Sequence, residues 1–373
     1  MNASGRRSKQ PALPARLLAL LALTAGLAWG TAIAQDSGTA QRLAIPTAGA
    51  YTGAYIDFGD QEDAVTLERI ESFAQLVGKH QAVVAFTNAW ERGHFPAAQT
   101  RIIANSGAVP LILWNPLDQR RGKEVLRYDL GDIAAGRWDT YLDAWARDAR
   151  DYGKPLLVAW GLEMNGNWFP WSGLFYGAGT PIPGSNPPLY QGPETFKRAY
   201  RHIVDRVRAA GADNIAWLFH VNNVSFPDAP WNSMASYYPG SRYVDWLAIS
   251  SYGNQFAGEY WIEVQQSIID PCRRLAAIDP AKPLFIAEWG IGEFPKQGSK
   301  GDWIRKAFAG MEQQVPRLGG AVFWHERWQN ADLTYSNLRV NSSLEALTAY
   351  REGVARPFWL ATPSFEPAPT AGH

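Results

Sequence analysis

Pro155-Leu156-Leu157-Val158-Ala159-Trp160-Gly161-Leu162-Glu163-Met164-Asn165-Gly166-Asn167-Trp168-Phe169-Pro170-Trp171 runs from a continuous apolar segment into a carboxylate ringed by tryptophans. The segment from Pro155 to Trp160 has the length and continuity of a strand buried on both faces. Glu163 therefore arrives at a strand end. A second segment, Pro283-Leu284-Phe285-Ile286-Ala287, ends the same way in Glu288-Trp289-Gly290.

On both sides of these two points, strand-like runs alternate with amphipathic helical stretches. Strands are expected near Ala50 to Ile56, Gln81 to Phe86 and Val109 to Trp114, then at Pro155 to Trp160 as the fourth. The next four are Asn214 to His220, Val244 to Ser251, Pro283 to Ala287 and Gly320 to Trp324. Helices are expected over Asp63 to Val77, Ala97 to Ser106, Pro193 to Ala210, Trp261 to Leu275 and Gly301 to Gln314. Another carries Trp138, Tyr141, Leu142, Trp145, Ala149 and Tyr152, spaced by three and four, on one apolar face. This alternation, with no second compositional regime, predicts an α/β fold: a single-domain (β/α)8 TIM barrel.

The ends of the chain read differently. Arg6, Arg7, Lys9 and Arg16 precede an apolar run from Leu17 to Trp29 and a small-x-small site at Ala32-Ile33-Ala34. Residues 1–34 are therefore expected to be a signal peptide, with the barrel over 35–355, secreted or periplasmic and free of the membrane after cleavage. The Pro-rich segment 356–373 is expected to be disordered. The Gly/Pro-rich stretch from Ser172 to Gly192 is expected to be irregular and to wall the cleft. Cys272 is the one cysteine, so no intramolecular disulfide can form.

Composition narrows the partners. Lys plus Arg number 35, as do Asp plus Glu, which leaves no electrostatic case for nucleic acid or an anionic membrane surface. The 17 Trp, 15 Tyr and 16 Phe provide a large aromatic core and, at strand ends, flat faces for sugar rings. No phosphate-binding glycine loop, serine nucleophile elbow or histidine metal set is present, so no cofactor is expected.

Active sites of this barrel lie at the C-terminal strand ends. Those ends carry Trp114, then Glu163 with Asn165, Trp168 and Trp171, His220 and Asn222, Tyr252, Glu288 with Trp289, and Trp324. The fourth and seventh strands face each other across such a mouth. Two carboxyl groups about 5 Å apart there suit a retaining double displacement at a glycosidic bond. One of the two carboxyl groups would be kept protonated by apolar surroundings and by the like charge of the other, which stays ionised. Glu293 is expected to be solvated, and Glu326, between His325 and Arg327, to pair with a charge.

The block Leu162 to Trp171 resembles the acid/base motif of glycoside hydrolase family 26, a (β/α)8 family of β-mannanases, mixed-linkage β-glucanases and some β-1,3-xylanases. The resemblance implies Glu163 as acid/base and Glu288, in Ala287-Glu288-Trp289-Gly290, as nucleophile. It implies Tyr252 as the residue that orients Glu288 and Trp324 as a sugar platform beside Trp168. Mannanases of the family usually carry histidine before the acid/base, where this chain has Leu162. That leaves β-1,4-mannan and mixed-linkage β-glucan as equal expectations, with Trp114, Asn165, Trp171, His220, Asn222 and Trp289 as further substrate contacts. The expected protein is a monomeric endo-β-glycanase acting on a polysaccharide. The alternative is a carbohydrate-binding or transglycosylating protein of exopolysaccharide remodelling or export.

Overall fold

The computed structural model describes residues 39–59, 62–118 and 127–369. The expected signal peptide lies outside them. In chain order the first half comprises β1 (Gln41–Leu43), β2 (Ala50–Ile56), α1 (Leu67–Val77), β3 (Val83–Ala89), α2 (Ala97–Asn105), β4 (Val109–Asn115), α3 (Leu130–Ala134), α4 (Asp139–Tyr152), β5 (Leu156–Trp160) and α5 (Gln191–Ala209). The second half comprises β6 (Ile215–Asn222), β7 (Trp246–Tyr252), α6 (Asp270–Ala276), β8 (Leu284–Gly290), α7 (Lys300–Gln314), β9 (Leu318–His325), β10 (Arg327–Gln329), β11 (Tyr335–Asn337), α8 (Leu344–Val354), β12 (Trp359–Leu360) and β13 (Phe365–Pro367). Strands β2 to β9 pair in sequence, all parallel, and β9 returns to pair with β2 from Tyr51↔Gly320 to Ile56↔His325. The sheet is thus a closed (β/α)8 barrel.

Alternation along the strands divides the apolar residues between two cores. Tyr51, Ala85, Leu111, Leu157, Ala159, Leu218, Ala248 and Val322 fill the barrel. Their neighbours Val84, Ile112, Val158, Phe219, Ile249 and Phe323 face outward, against the helices. Helix α4 offers Leu142, Trp145, Ala146 and Ala149 to that outer layer and stops at Gly153, whose φ of 72° suits glycine. Helix α1 is capped by Thr66, whose hydroxyl accepts from the Arg69 N–H, and begins at Leu67, four positions after the Asp63 start read from sequence. Helix α5 begins two residues before Pro193, which sits in its first turn, where its missing N–H costs nothing. The stretch expected as a helix from Trp261 opens instead as a π turn over Gln265–Ile269 and continues as α6. There Cys272 is buried, and burial pushes its thiol up to about 12.

The expected disordered tail is corrected by the structure through residue 369. β12 adds beside β2, and β13 pairs antiparallel with β1. Trp359 and Ala368 are buried, and the Trp359 indole donates to Glu312 at 2.8 Å. Proline-rich composition hid a few apolar anchors that suffice to hold an edge strand. The ribbon of β1 and β13 lies at the N-terminal end of the barrel. Arg42 reaches the Asp213 carbonyl at 2.6 Å and Asp245 at 3.1 Å, both just ahead of strands.

Candidate active site

At the end of β5 the chain turns through two left-handed residues, Gly161 (φ 58°) and Glu163 (φ 56°). Glycine adopts this conformation freely. A glutamate there carries strain of roughly 1 kcal/mol or more. The surroundings hold it: the Glu163 N–H donates to the His220 carbonyl at 2.8 Å, and its carbonyl accepts from Gly166 at 2.9 Å. Asn165 locks the following loop to β6, donating to the Asn222 carbonyl at 3.0 Å and accepting from the Asn222 N–H at 2.8 Å. Trp171 donates to the Leu162 carbonyl at 2.7 Å. The Trp168 indole then reaches the carboxylate itself, Nε1 to Glu163 Oε2, at 2.7 Å.

Glu288 is brought to the mouth by a different device. Phe285 and Ala287 point into the barrel, so simple alternation would send Glu288 out to the helices. The register breaks instead: Ile249 pairs with Ile286, but Ser250 pairs with Glu288, which leaves Ala287 as an extra residue. Toward β9 the same insertion sets Ile286 to Trp289 against Ala321 to Phe323. This bulge inverts the strand's parity. Glu288 turns inward, and Trp289 packs outside against Trp303, Phe308, Phe323 and Tyr350.

The two carboxylates meet at one cavity of about 490 Å3, lined by Glu62, Thr87, Leu113, Asn115, Leu117, Leu162, Glu163, Phe169, Glu288 and Trp324. Both are nearly buried, at 8% and 5% exposure. Tyr252 donates to Glu288 Oε2 at 2.7 Å. The other oxygen, Oε1, has no hydrogen-bond partner among the described residues, with His220 Nε2 4.0 Å away. Burial and the charge of Glu163 push the Glu288 carboxyl upward, while the Tyr252 hydrogen bond opposes them. Burial, followed by the Glu288 charge, raises Tyr252 in turn. His220 is fully buried and held near a pKa of about 3, hence neutral, with Nε2 2.8 Å from Ser250 Oγ.

Trp324 stands at the wall of the cavity, stacked on Tyr55 with ring centroids 3.8 Å apart and planes 6° from parallel. Its indole donates to Glu326 Oε2 at 2.8 Å. The expectation that Glu326 pairs with a charge is therefore corrected: it takes an indole N–H, and burial pushes its carboxyl up to about 7. Glu293, expected to be solvated, is half-buried and accepts from Ser342 at 2.7 Å.

Several expected substrate contacts lie away from the cavity. Trp114 has outward parity on β4, stacks on Trp145 at 4.0 Å and donates to Tyr141, while its neighbour Asn115 takes the inward place. Trp171 and Trp289 are packing residues, and Asn165 and His220 are fully buried positioning groups. Asn222 is buried and donates to the Val224 carbonyl at 2.7 Å. Nor does the Ser172 to Gly192 stretch line this cavity. It packs over the outer helices, with the Leu130 N–H of α3 donating to the Tyr176 hydroxyl, and contains one 3-10 turn at Gly173–Phe175. Sequence reading missed Tyr55, Thr87, Asn115 and Ser250. Their signal was present: each is a polar or aromatic residue at the inward parity of its strand's last turn. Among the described residues no group of three or more His, Cys, Asp and Glu could hold a metal ion. No described helix is long and apolar enough to cross a membrane.

A closed parallel barrel with two buried glutamates facing one cavity from β5 and β8 is a glycosidase architecture. The sequence profile of glycosyl hydrolase family 26 matches residues 134–291, which run from the end of α3 through Glu288. Endoglucanase H of Acetivibrio thermocellus is 31% identical over 323 residues, 84% of this chain and 31% of that protein. A β-1,3-xylanase of Alcaligenes sp. is 25% identical over 223 residues, 53% of this chain and 41% of the relative. The chain thus spans well under two thirds of either relative's length. Among solved structures, a modular endo-β-1,4-mannanase from Cellulomonas fimi superposes with a TM-score of 0.58 at 18% identity, covering 84% of this chain and 72% of the mannanase. The chain belongs to glycosyl hydrolase family 26.

Proposed function

We propose that the protein is a retaining endo-β-glycanase that hydrolyses a gluco- or manno-configured polysaccharide. The observation that carries this reading is the pairing of Glu163 and Glu288 at one cavity, with Tyr252 bonded to one oxygen of Glu288 and the other oxygen unpartnered. In the first step Glu288 Oε1 attacks the anomeric carbon, the glycosidic C–O bond breaks, and Glu163 gives its proton to the leaving oxygen. In the second, Glu163 takes a proton from water, the resulting hydroxide oxygen bonds the anomeric carbon, and the Glu288 carboxylate is released. A buried pair that lines one cavity holds one proton between them at working pH, because two anions in an apolar cavity repel. Glu163 is assigned that proton, since Tyr252 stabilises the anionic form of Glu288.

The relatives' names point to glucan, xylan and mannan substrates. Likeness to an endoglucanase over most of this chain, together with Leu162 in place of the family's histidine, favours mixed-linkage β-glucan, with β-1,4-mannan second. Export is part of the proposal and is supported by the basic and apolar pattern of residues 1–34. The test is reducing-sugar release on mixed-linkage glucan, glucomannan, β-mannan and β-1,3-xylan, with Glu163→Ala and Glu288→Ala as controls. Turnover of one polymer, lost in both variants, with the β-anomer appearing first by NMR, supports the reading. A folded protein inactive on all four, or an α-anomer product, sinks it.

A further inference from the structure

Trp324 meets the cavity as a flat ring whose plane is set from two directions. One face lies on Tyr55. An aromatic pair in offset contact has a shallow minimum and permits one ring to slide over the other. The second restraint is directional: the indole N–H points at Glu326 Oε2, 2.8 Å away. A hydrogen bond to an ionised acceptor is shorter and about twice as strong as one between neutral groups. It therefore fixes the in-plane rotation that stacking leaves free.

Glu326 follows β9 by one residue, so its backbone is as fixed as the strand. Its carbonyl accepts from the Leu338 N–H at 2.9 Å, tying it to the segment beyond β11. The carboxyl is half-buried, and the charged groups around it oppose one another. Burial, Glu62 and Asp57 raise its pKa to about 7, whereas the Trp324 N–H and Arg339 lower it. Its charge is felt in turn by Tyr55, Tyr252 and Glu288.

We infer that Glu326 is a positioning residue: its carboxylate holds the Trp324 indole against Tyr55 so that the ring presents a fixed platform to the sugar beside Glu288. The inference rests on the glycanase reading above. A platform held by a carboxylate recognises the apolar face of a pyranose ring through shape alone, and the carboxylate itself contacts no substrate. It acts on binding in the reactive subsite, with little effect on bond breaking once the sugar is seated.

The experiment uses the full chain labelled with nitrogen-15 tryptophan, the Trp324 indole resonance being identified by its absence in Trp324→Phe. In the wild type this resonance should move with pH about a midpoint near 7, and in Glu326→Gln it should be pH-independent. In parallel, Glu326→Ala should raise KM on the polymer that the panel identifies by about tenfold, with kcat changed far less. Glu326→Gln, which keeps an oxygen acceptor, should recover most of that loss. A Trp324 resonance that keeps its wild-type position in Glu326→Ala overturns the inference, as does an unchanged KM. Absence of turnover on every polymer overturns the glycanase reading and the inference with it, whereas normal turnover with an indifferent Trp324 overturns the inference alone.

Discussion

The strand ends of β5 and β8 deliver the same functional group by opposite means. At β5 the strand stays regular and the chain then twists through two left-handed residues, with Glu163 itself in the strained conformation. At β8 the strand is broken inside, by one extra residue at Ala287, and Glu288 keeps an extended backbone within the sheet. The first device places its carboxylate on a loop that needs Asn165, Trp168 and Trp171 to hold it. The second places its carboxylate in the barrel wall, where Tyr252 orients it. An acid/base has to give and take a proton in successive steps and tolerates a loop. A nucleophile has to sit in one place while a bond forms at it.

The sharpest way to separate the two roles is chemical rescue. Glu288→Ala and Glu163→Ala should each lower turnover of the identified polymer by roughly 10^4-fold. On an aryl glycoside with a good leaving group, azide should restore both. The glycosyl azide should be the α-anomer with Glu288→Ala and the β-anomer with Glu163→Ala. The same anomer from both variants would erase the distinction drawn between the two strand ends.

The bulge can be attacked directly. Deleting Ala287 removes the extra residue and makes the ladder regular: Ile286 and Glu288 then face Ile249 and Ser250 in succession, and Glu288 keeps its inward parity but loses the bulge that aims its carboxyl. Activity should fall by about 100-fold as the carboxyl is displaced, and the melting temperature should change little by calorimetry. At β5, Asn165→Ala removes a buried amide that both donates to and accepts from β6, and should destabilise the fold by about 2 kcal/mol in urea titration. A larger loss of stability from the deletion than from Asn165→Ala would mean that the wall, not the loop, carries the stability.

Tyr252→Phe tests the hydrogen bond that the Tyr252 hydroxyl gives Glu288. The phenol O–H stabilises the carboxylate form, so removing it lets burial and the Glu163 charge raise the Glu288 pKa further. The nucleophile must be ionised, so the acid limb of the pH profile should move to higher pH by about one unit, with kcat lowered roughly 10- to 100-fold. A profile that keeps its acid limb in place would assign that limb to another group.

Much of this was legible before any coordinates. The eight strands and both glutamates at their ends follow from apolar runs that end in polar residues, and the role of Tyr252 from the resemblance to the family. The tryptophans were less legible because a ring beside a strand end is equally at home in either core. On β4, Trp114 and Asn115 exchange roles once inward parity is counted from Val109, Leu111 and Leu113. On β8 even that count fails, because a bulge adds a residue without any mark in the letters Ile286-Ala287-Glu288. Glu326 was misread for a related reason: its neighbours in sequence are His325 and Arg327, yet its partner is the indole two residues back. The tail was misread because composition reports the average of a segment, and Trp359 alone outweighs its prolines.

The smallest expected effect lies at Leu162, where the β5 turn meets the cavity. Its side chain is almost fully buried, packs with the barrel interior and borders the cavity beside Glu163. A leucine there gives the reactive sugar no hydrogen-bond donor, so discrimination between epimers at that position rests on shape. Leu162→His supplies a ring N–H at the same point, with a volume close enough to be accommodated. If the missing donor is what turns this cleft from mannan toward glucan, the ratio of kcat/KM for mannan over mixed-linkage glucan should rise by about tenfold. The β8 side of the site is untouched by this change, so the acid limb of the pH profile should stay where the wild type has it. A ratio unchanged by the substitution would place sugar selection on the Trp324 side of the cavity instead, with Glu288 and its wall.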